Sequence, residues 1–369
     1  MAAGPEPVSS LDPTRPVRAG EELDAAALRQ VFDRRAPELT GPVVVEQFPK
    51  GHSNLTYLLK VGGTELVLRR PPRGAKQIKA GHDMRREYTV LHRLRTVWPK
   101  VPRTLFLVPE NESPLGAEFY VMERVQGLIL RGTKLPPGVE LDTAGMRAVS
   151  ETVVDTLVEL HAVDPSAAGL AEFGRPQGYV QRQVAGWTER YGRARTDDLP
   201  DMERLATWLA SNLPPDQPGA IIHNDFKYDN VVLDPERLTQ VRAVLDWEMA
   251  TLGDPISDLG MALAYWFEPG ESEMVGPAAF GPTALPGNLT REEIVQRYSA
   301  RSGRRVDDVV FYYVLGLFKV GVIAQQIYFR YHQGLTQDER FAGLGMAVAL
   351  LAQVAVRAVE RNRISNLLD

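Results

Sequence analysis

His223-Asn224-Asp225-Phe226-Lys227-Tyr228-Asp229-Asn230, with Leu245-Asp246-Trp247 a short way on, is the stretch on which the reading of this chain turns. It has the form H-x-D-x-x-x-x-N, followed by an aspartate at the end of an apolar strand. A reaction that moves a phosphoryl group asks for such a set. One carboxylate must receive or orient the proton of the attacking hydroxyl, and hard oxygen ligands must hold the cations that neutralise the phosphates. Asp225 suits the first task, and Asn230 and Asp246 suit the second. The Phe-Lys-Tyr-Asp turn brings Asn230 back beside Asp225, and the hairpin that follows, turning at Asp234-Pro235, brings Asp246 alongside. The alternative is a turn rich in Asp and Asn because turns favour them. The spacing of the carboxylates argues against it.

Outward from this stretch the pattern changes twice. Leu28, Val31 and Phe32 fall at helical spacing within residues 21–35. After Pro42, residues 43–45, 56–61 and 65–69 read as strands, with Gly62-Gly63 as a hairpin turn. A helix is expected over 82–97, with Leu91 and Leu94 on its buried side and Pro99 ending it. Residues 103–108 and 118–122 read as two more strands. Alternation puts Arg69 on the strand face shared with Val67. Downstream, Met146, Val149, Val153, Leu157 and Leu160 make a helical stripe ending at His161. A short β segment spans 220–246, and Leu259, Met261 and Leu263 mark a helix with Asp258 at its start. Thr290 and Glu293 form a capping box, and longer helices are expected over 306–331 and 338–361. Residues 268–288, rich in Gly and Pro, form a long loop. The expected organisation is α+β: a disordered lead-in 1–20, a β-rich part 21–122, a joint 123–127 and a helical part 128–369.

Composition narrows the classes. The chain has 369 residues and a net charge of −5, so it lacks the basic surface of a nucleic-acid-coating protein. With no cysteine, thiolate metal sites, disulfides and cysteine nucleophiles are excluded. The first residues lack a basic start followed by an apolar run, and the apolar stretch 341–356 is shorter than the roughly 20 residues of a membrane span. The expectation is a cytoplasmic protein with no nucleic-acid partner and no membrane insertion; oligomeric state is not readable.

With these residues in place, the chain resembles the aminoglycoside phosphotransferase superfamily, relatives of choline and homoserine kinases with a protein-kinase-like fold. The likeness covers residues 41–267 well. It rests on His223 to Asn230 with Asp246, and on Gly51-His52-Ser53-Asn54-Leu55-Thr56-Tyr57, Val67-Leu68-Arg69-Arg70-Pro71-Pro72, Met84-Arg85-Arg86-Glu87-Tyr88, Phe119-Tyr120-Val121-Met122-Glu123 and Gly253-Asp254-Pro255. These motifs match a branch that includes the kinase-like domain fused to some acyl-CoA dehydrogenases.

The resemblance implies a bilobal fold with ATP, or GTP as the alternative, and Mg²⁺ in the cleft. Asp225 would be the catalytic group, and Asn230 and Asp246 the metal ligands. Ser53 and Asn54 would lie by the phosphates, and the backbone of Glu123 and Val125 would meet the adenine. The family usually places a Lys where Arg69 stands, so Arg69 would bind phosphate with Glu87 as its partner, and Arg70 is a lesser candidate. Asp258 and His223 read as structural support for the catalytic loop, and His161 as a packed or capping residue. The partner would be a small molecule with a hydroxyl acceptor, expected to be a neutral or anionic hydroxylated metabolite such as a hydroxy-acyl compound. The alternatives are an aminoglycoside or other antibiotic as acceptor, or a catalytically inactive nucleotide-binding module. Residues 309–331 carry no acidic group to match a polycation, although Glu268, Glu271 and Glu273 could fold over one.

Overall fold

The computed structural model describes residues 12–49, 54–72, 83–271, 280–336 and 338–367. The chain forms two compact units, the first of residues 1–129, 167–170 and 230–250, the second of residues 130–166, 171–229 and 251–369.

Unit 1 opens with helix α1 (Ala25–Arg35), started by the Asp24 carboxylate accepting from the N–H groups of Ala26 and Ala27. Strands β1 (Val43–Gln47), β2 (Leu55–Val61) and β3 (Thr64–Arg70) follow, then α2 (Met84–Leu94), β4 (Thr104–Val108) and β5 (Phe119–Glu123). The five strands make one antiparallel sheet in the order β1-β2-β3-β5-β4. The β2–β3 turn needs Gly62-Gly63: their φ values are +55° and +84°, and a Cβ at Gly62 would fall 2.1 Å from the Thr40 carbonyl oxygen. Leu28, Val31 and Phe32 of α1 cover one sheet face and join Tyr57, Leu59, Leu68, Phe106 and Val121 in a core. The other helix, α2, lies against β4, β5 and the short turn Trp247–Met249. Its buried side carries Met84, Val90, Leu91 and Leu94, and also one charged residue, Glu87.

After β5 the chain enters unit 2 with α3 (Thr143–His161), whose stripe Met146, Val149, Val153, Leu157 and Leu160 is buried as its spacing requires. Two helices that the patterning does not anticipate come next, α4 (Tyr179–Ala194) and α5 (Pro200–Ser211). Their buried residues do recur at helical spacing: Tyr179, Val184, Trp187 and Tyr191, then Met202, Leu205 and Leu209. After β6 (Ala220–Ile222), residues 230–250 rejoin unit 1 as the hairpin β7 (Val231–Leu233) and β8 (Val241–Val244). Unit 2 resumes with β9 (Thr251–Gly253), which pairs with β6, and α6 (Pro255–Ala264), capped by Asp254. Then come α7 (Arg291–Ser302), with both halves of the Thr290/Glu293 capping box formed, α8 (Val309–His332) and α9 (Leu344–Arg361).

Helix α8 is the spine of unit 2, touching α4, α5, α6 and α9. Its approach to α6 depends on two glycines: a Cβ at Gly260 would lie 2.3 Å from the Tyr312 carbonyl oxygen, and one at Gly316 would lie 2.4 Å from that of Gly260. By length and composition, Val309–His332 and Glu339–Arg361 could each cross a membrane. Length therefore does not set the C-terminal helix apart from a span, contrary to the expectation from residues 341–356. In this fold its Val348, Leu351, Ala352 and Ala355 are buried.

The loop after α6 also differs from expectation. Glu268 and Glu271 are buried and committed to Arg291, whose guanidinium bonds Glu268 Oε2 at 3.2 Å, Glu271 at 2.5 and 2.6 Å, and the carbonyls of Trp266 and Ile364. Glu273 lies outside the described residues.

Candidate active site

In unit 1 the polar residues gather around Arg69. Strand β3 ends with five consecutive buried positions, so both Arg69 and Arg70 are enclosed. Burying a guanidinium is costly unless it is matched by charge and hydrogen bonds. Arg69 has three carboxylates. Its Nη1 donates to Glu87 Oε1 at 2.5 Å, both terminal nitrogens reach Asp246 Oδ1 at 3.1 Å, and Nη2 donates to Glu248 Oε2 at 3.2 Å. Glu248 Oε2 also accepts from Asn54 Nδ2 at 2.7 Å, which ties the start of β2 to the segment after β8. Burial pushes the Glu87 carboxyl up to about 7 despite Arg69, while burial of Arg69 is outweighed by Glu87, Asp246 and Glu248, which hold its charge firmly. The Tyr120 hydroxyl beside Glu87 is raised by burial and by that carboxylate.

Asp246 is the open member of the group, with 35% of its side chain exposed against 1% for Glu87. It sits in the left-handed region at φ +67°, a conformation that Asp tolerates better than most residues. Pairing of Val231 with Val244, and the Leu245 N–H donating to the Asn230 carbonyl at 2.8 Å, bring Asn230 beside the Leu245-Asp246 corner. The two oxygen-bearing side chains expected to hold a cation are thus neighbours on one hairpin. Arg70 turns elsewhere, its Nε donating to the Pro71 carbonyl at 3.3 Å. Glu123 pairs with Leu66 in the sheet, and its carboxylate accepts the Arg103 N–H at 2.9 Å. Val125 packs on Ile129, Val232 and Ala243. Ser53 lies outside the described residues.

In unit 2 the loop after β6 presents Asp225. The loop is fastened by Asp258 on α6, fully buried, whose Oδ2 and Oδ1 accept the N–H groups of His223 and Asn224, each at 2.7 Å. His161 Nε2 reaches the same carboxylate at 3.1 Å, and its Nδ1 meets the Tyr298 hydroxyl at 2.7 Å. Burial works against the Asp258 charge, yet His161, His223 and the loop N–H hold its carboxyl below the usual range. The His223 Nδ1 accepts the Asp225 N–H at 3.2 Å, so that nitrogen is occupied inside the loop and is not poised as a base. Asp225 itself is bridged by Lys227, whose ammonium is 2.7 and 2.8 Å from the two carboxylate oxygens. That ammonium also lies 4.6 Å from the Tyr265 ring centroid and 4.9 Å from that of Phe280.

Three charged residues in these groups carry no expectation from sequence. Glu248 stands two places after Asp246, and Lys227 lies inside the quoted loop, so both had a positional signal. Lys319 is the one cation on its apolar helix before Arg330.

Comparison with known proteins follows the same lines. The model of the phosphotransferase enzyme family matches residues 44–290. Acyl-CoA dehydrogenase family member 11 of Gallus gallus is 35% identical over 362 residues, covering 96% of this chain and 46% of that protein. The chain thus spans about half the length of the curated relatives it matches. A solved protein from Ralstonia eutropha JMP134, assigned to the aminoglycoside phosphotransferases, is 29% identical with a TM-score of 0.78 and covers 92% of this chain and 99% of that one. An aminoglycoside phosphotransferase solved as a thermostable mutant with AMP-PNP and hygromycin B has the same kinase-like fold, at 16% identity and a TM-score of 0.57, covering 90% of this chain and 99% of that one.

Proposed function

Because the chain belongs to the phosphotransferase enzyme family, we propose that it transfers the γ-phosphate of ATP to a hydroxyl group of a small molecule. The observation that carries this reading is Asp225. It stands on a loop fixed through two backbone N–H bonds to a buried Asp258, with its own carboxylate still partly exposed. A carboxylate held in that way can accept a hydrogen bond from an acceptor hydroxyl and aim its oxygen at phosphorus. Lys227, now on both Asp225 oxygens, holds the carboxylate in place until the hydroxyl arrives and then offers its charge to the transferring oxygens. Arg69, held by Glu87, would meet the nucleotide phosphates.

Asn230 and Asp246 fit Mg²⁺. Both offer hard oxygen, and among the described residues no three His, Cys, Asp or Glu side chains converge as a self-contained metal cage. Mg²⁺ characteristically takes one or two protein ligands and completes its shell with phosphates and water. When bound it would neutralise phosphate charge. Asp246 would then exchange its bond to Arg69 for the cation.

For the acceptor we favour a neutral or anionic hydroxylated metabolite, a hydroxy acid or hydroxy-acyl compound, over an aminoglycoside. A polycation needs free carboxylates, and Glu268 and Glu271 are spent on Arg291. The likeness to proteins named for acyl-CoA dehydrogenase points the same way. The test is ADP release from Mg·ATP with hydroxy acids and their CoA esters set against kanamycin-type sugars, with Asp225→Asn as control. Turnover of a hydroxy-acyl acceptor that is lost in the variant supports the reading. Efficient turnover of the sugars would overturn the acceptor class, and turnover unchanged by Asp225→Asn would overturn the assigned role.

A further inference from the structure

Lys319 is the one charged residue on α8 before Arg330. It is 1% exposed. Its ammonium has the Asn224 Oδ1 at 3.3 Å and the Trp187 ring centroid at 5.7 Å, and the described residues give it no ion pair. A methionine would fill the same space without the penalty of burying a charge, so packing does not account for this residue. Its contact does. Asn224 stands between His223 and Asp225 with its backbone at φ +66°. Its N–H is held by Asp258 of α6, and its side-chain oxygen accepts from the Tyr179 hydroxyl of α4 at 2.9 Å as well as from Lys319. Three helices therefore grip the residue next to Asp225.

We propose that Lys319 and Tyr179 clamp the Asn224 side chain and so set the backbone of residues 223–225, which makes Lys319 a positioning residue for Asp225. The proposal rests on the reading of Asp225 as the group that orients the acceptor. A left-handed residue is held against its intrinsic preference, and two donors on one side-chain oxygen supply that restraint. The charges that act on the amine are Asp258 on α6, Asp225 in the loop and Arg190 on α4. Burial pushes the amine down to about 8 against the pull of the two aspartates. The charged hydrogen bond is thus present at neutral pH and lost as the pH rises through that value.

The test uses the full chain with Lys319→Met, Lys319→Arg and Tyr179→Phe. One readout is ADP release from Mg·ATP with water as the acceptor, followed through the alkaline range. The other is the carbon-13 carboxyl signal of Asp225, with the amide signals of residues 223–225, in nucleotide-free protein. Lys319→Met is expected to lower kcat by about tenfold or more with KM for ATP within about twofold. It should move the signals of residues 223–225 and abolish the alkaline fall in rate expected of the wild-type protein. Lys319→Arg should restore the signals and shift that fall to higher pH. Wild-type kcat and unmoved signals in Lys319→Met would overturn the clamp. If the wild-type protein releases no ADP with water or with any of the hydroxylated acceptors named above while the signals still respond, the phosphotransfer reading fails and the clamp stands. If Lys319→Met does not fold, Tyr179→Phe decides: a displaced Asn224 amide supports the clamp, and an unchanged one overturns it.

Discussion

Single residues in this chain carry charge into places where it must be matched, and the matching predicts their sensitivity. Asp258 serves two backbone N–H groups and His161, so Asp258→Ala strands three donors at once. Breaking such a buried set costs about 3–5 kcal/mol, which chemical denaturation would register as a lower midpoint. Because the folded carboxyl lies below its unfolded value, its contribution is fully present at neutral pH. It should disappear as the pH falls below about 4, the unfolded value, toward the lower folded one. A wild-type protein and an Asp258→Asn variant compared along an acid titration should therefore converge, and parallel curves would contradict the assignment. Arg69→Ala should raise the KM for ATP or lower kcat well beyond what Arg70→Ala does, because Arg69 engages Glu87, Asp246 and Glu248 while Arg70 turns to the Pro71 carbonyl. Equal sensitivity of the two arginines would move the phosphate contact off Arg69.

Elements are held to the site by their closest approaches. Helices α6 and α8, which carry Asp258 and Lys319, meet through Gly260 and Gly316. Gly316→Ala should force them apart and cost about 1–3 kcal/mol, with a fall in turnover that exceeds any change in nucleotide affinity. A thermal melt together with ADP-release kinetics would show whether the two losses travel together. This level also shows what could be read in advance. The sheet, α2 and the Arg69–Glu87 pair were legible because alternation along β3 and the short pattern Met84 to Tyr88 are local signals. The cap at Thr290 was local too. Helices α4 and α5 were not anticipated, although their buried residues recur at helical spacing; in α4 the pattern is interrupted by Gly186, Gly192 and several arginines. Lys319 gains meaning solely from a partner far along the chain. Sequence likewise leaves the charge of Glu268 and Glu271 available, whereas in the fold Arg291 takes it up.

At the scale of the whole molecule the two functions proposed for the short segment 225–230 fall in different units, Asp225 in the second and Asn230 in the first. The corresponding variants should separate. Asp246→Ala should weaken binding of Mg·ATP more than Asp225→Ala does, since Asp246 is the proposed hard ligand and 35% of its side chain is exposed. Calorimetry would show it, and the thermal stabilisation given by saturating Mg·ATP should shrink in parallel; at about 100 times Kd that stabilisation is about 2.7 kcal/mol. Equal affinities would end the division of labour between the two aspartates. Unit 1 is also discontinuous, and that has a consequence in time. Arg69 meets Glu87 18 residues on, but Asp246 and Glu248 lie 177 and 179 residues downstream. At a synthesis rate of about 5–20 residues per second, Arg69 waits roughly 9–35 s on the ribosome before the rest of its counter-charge exists. The nascent sheet cannot close over that arginine at full stability until nearly half of unit 2 has already been made.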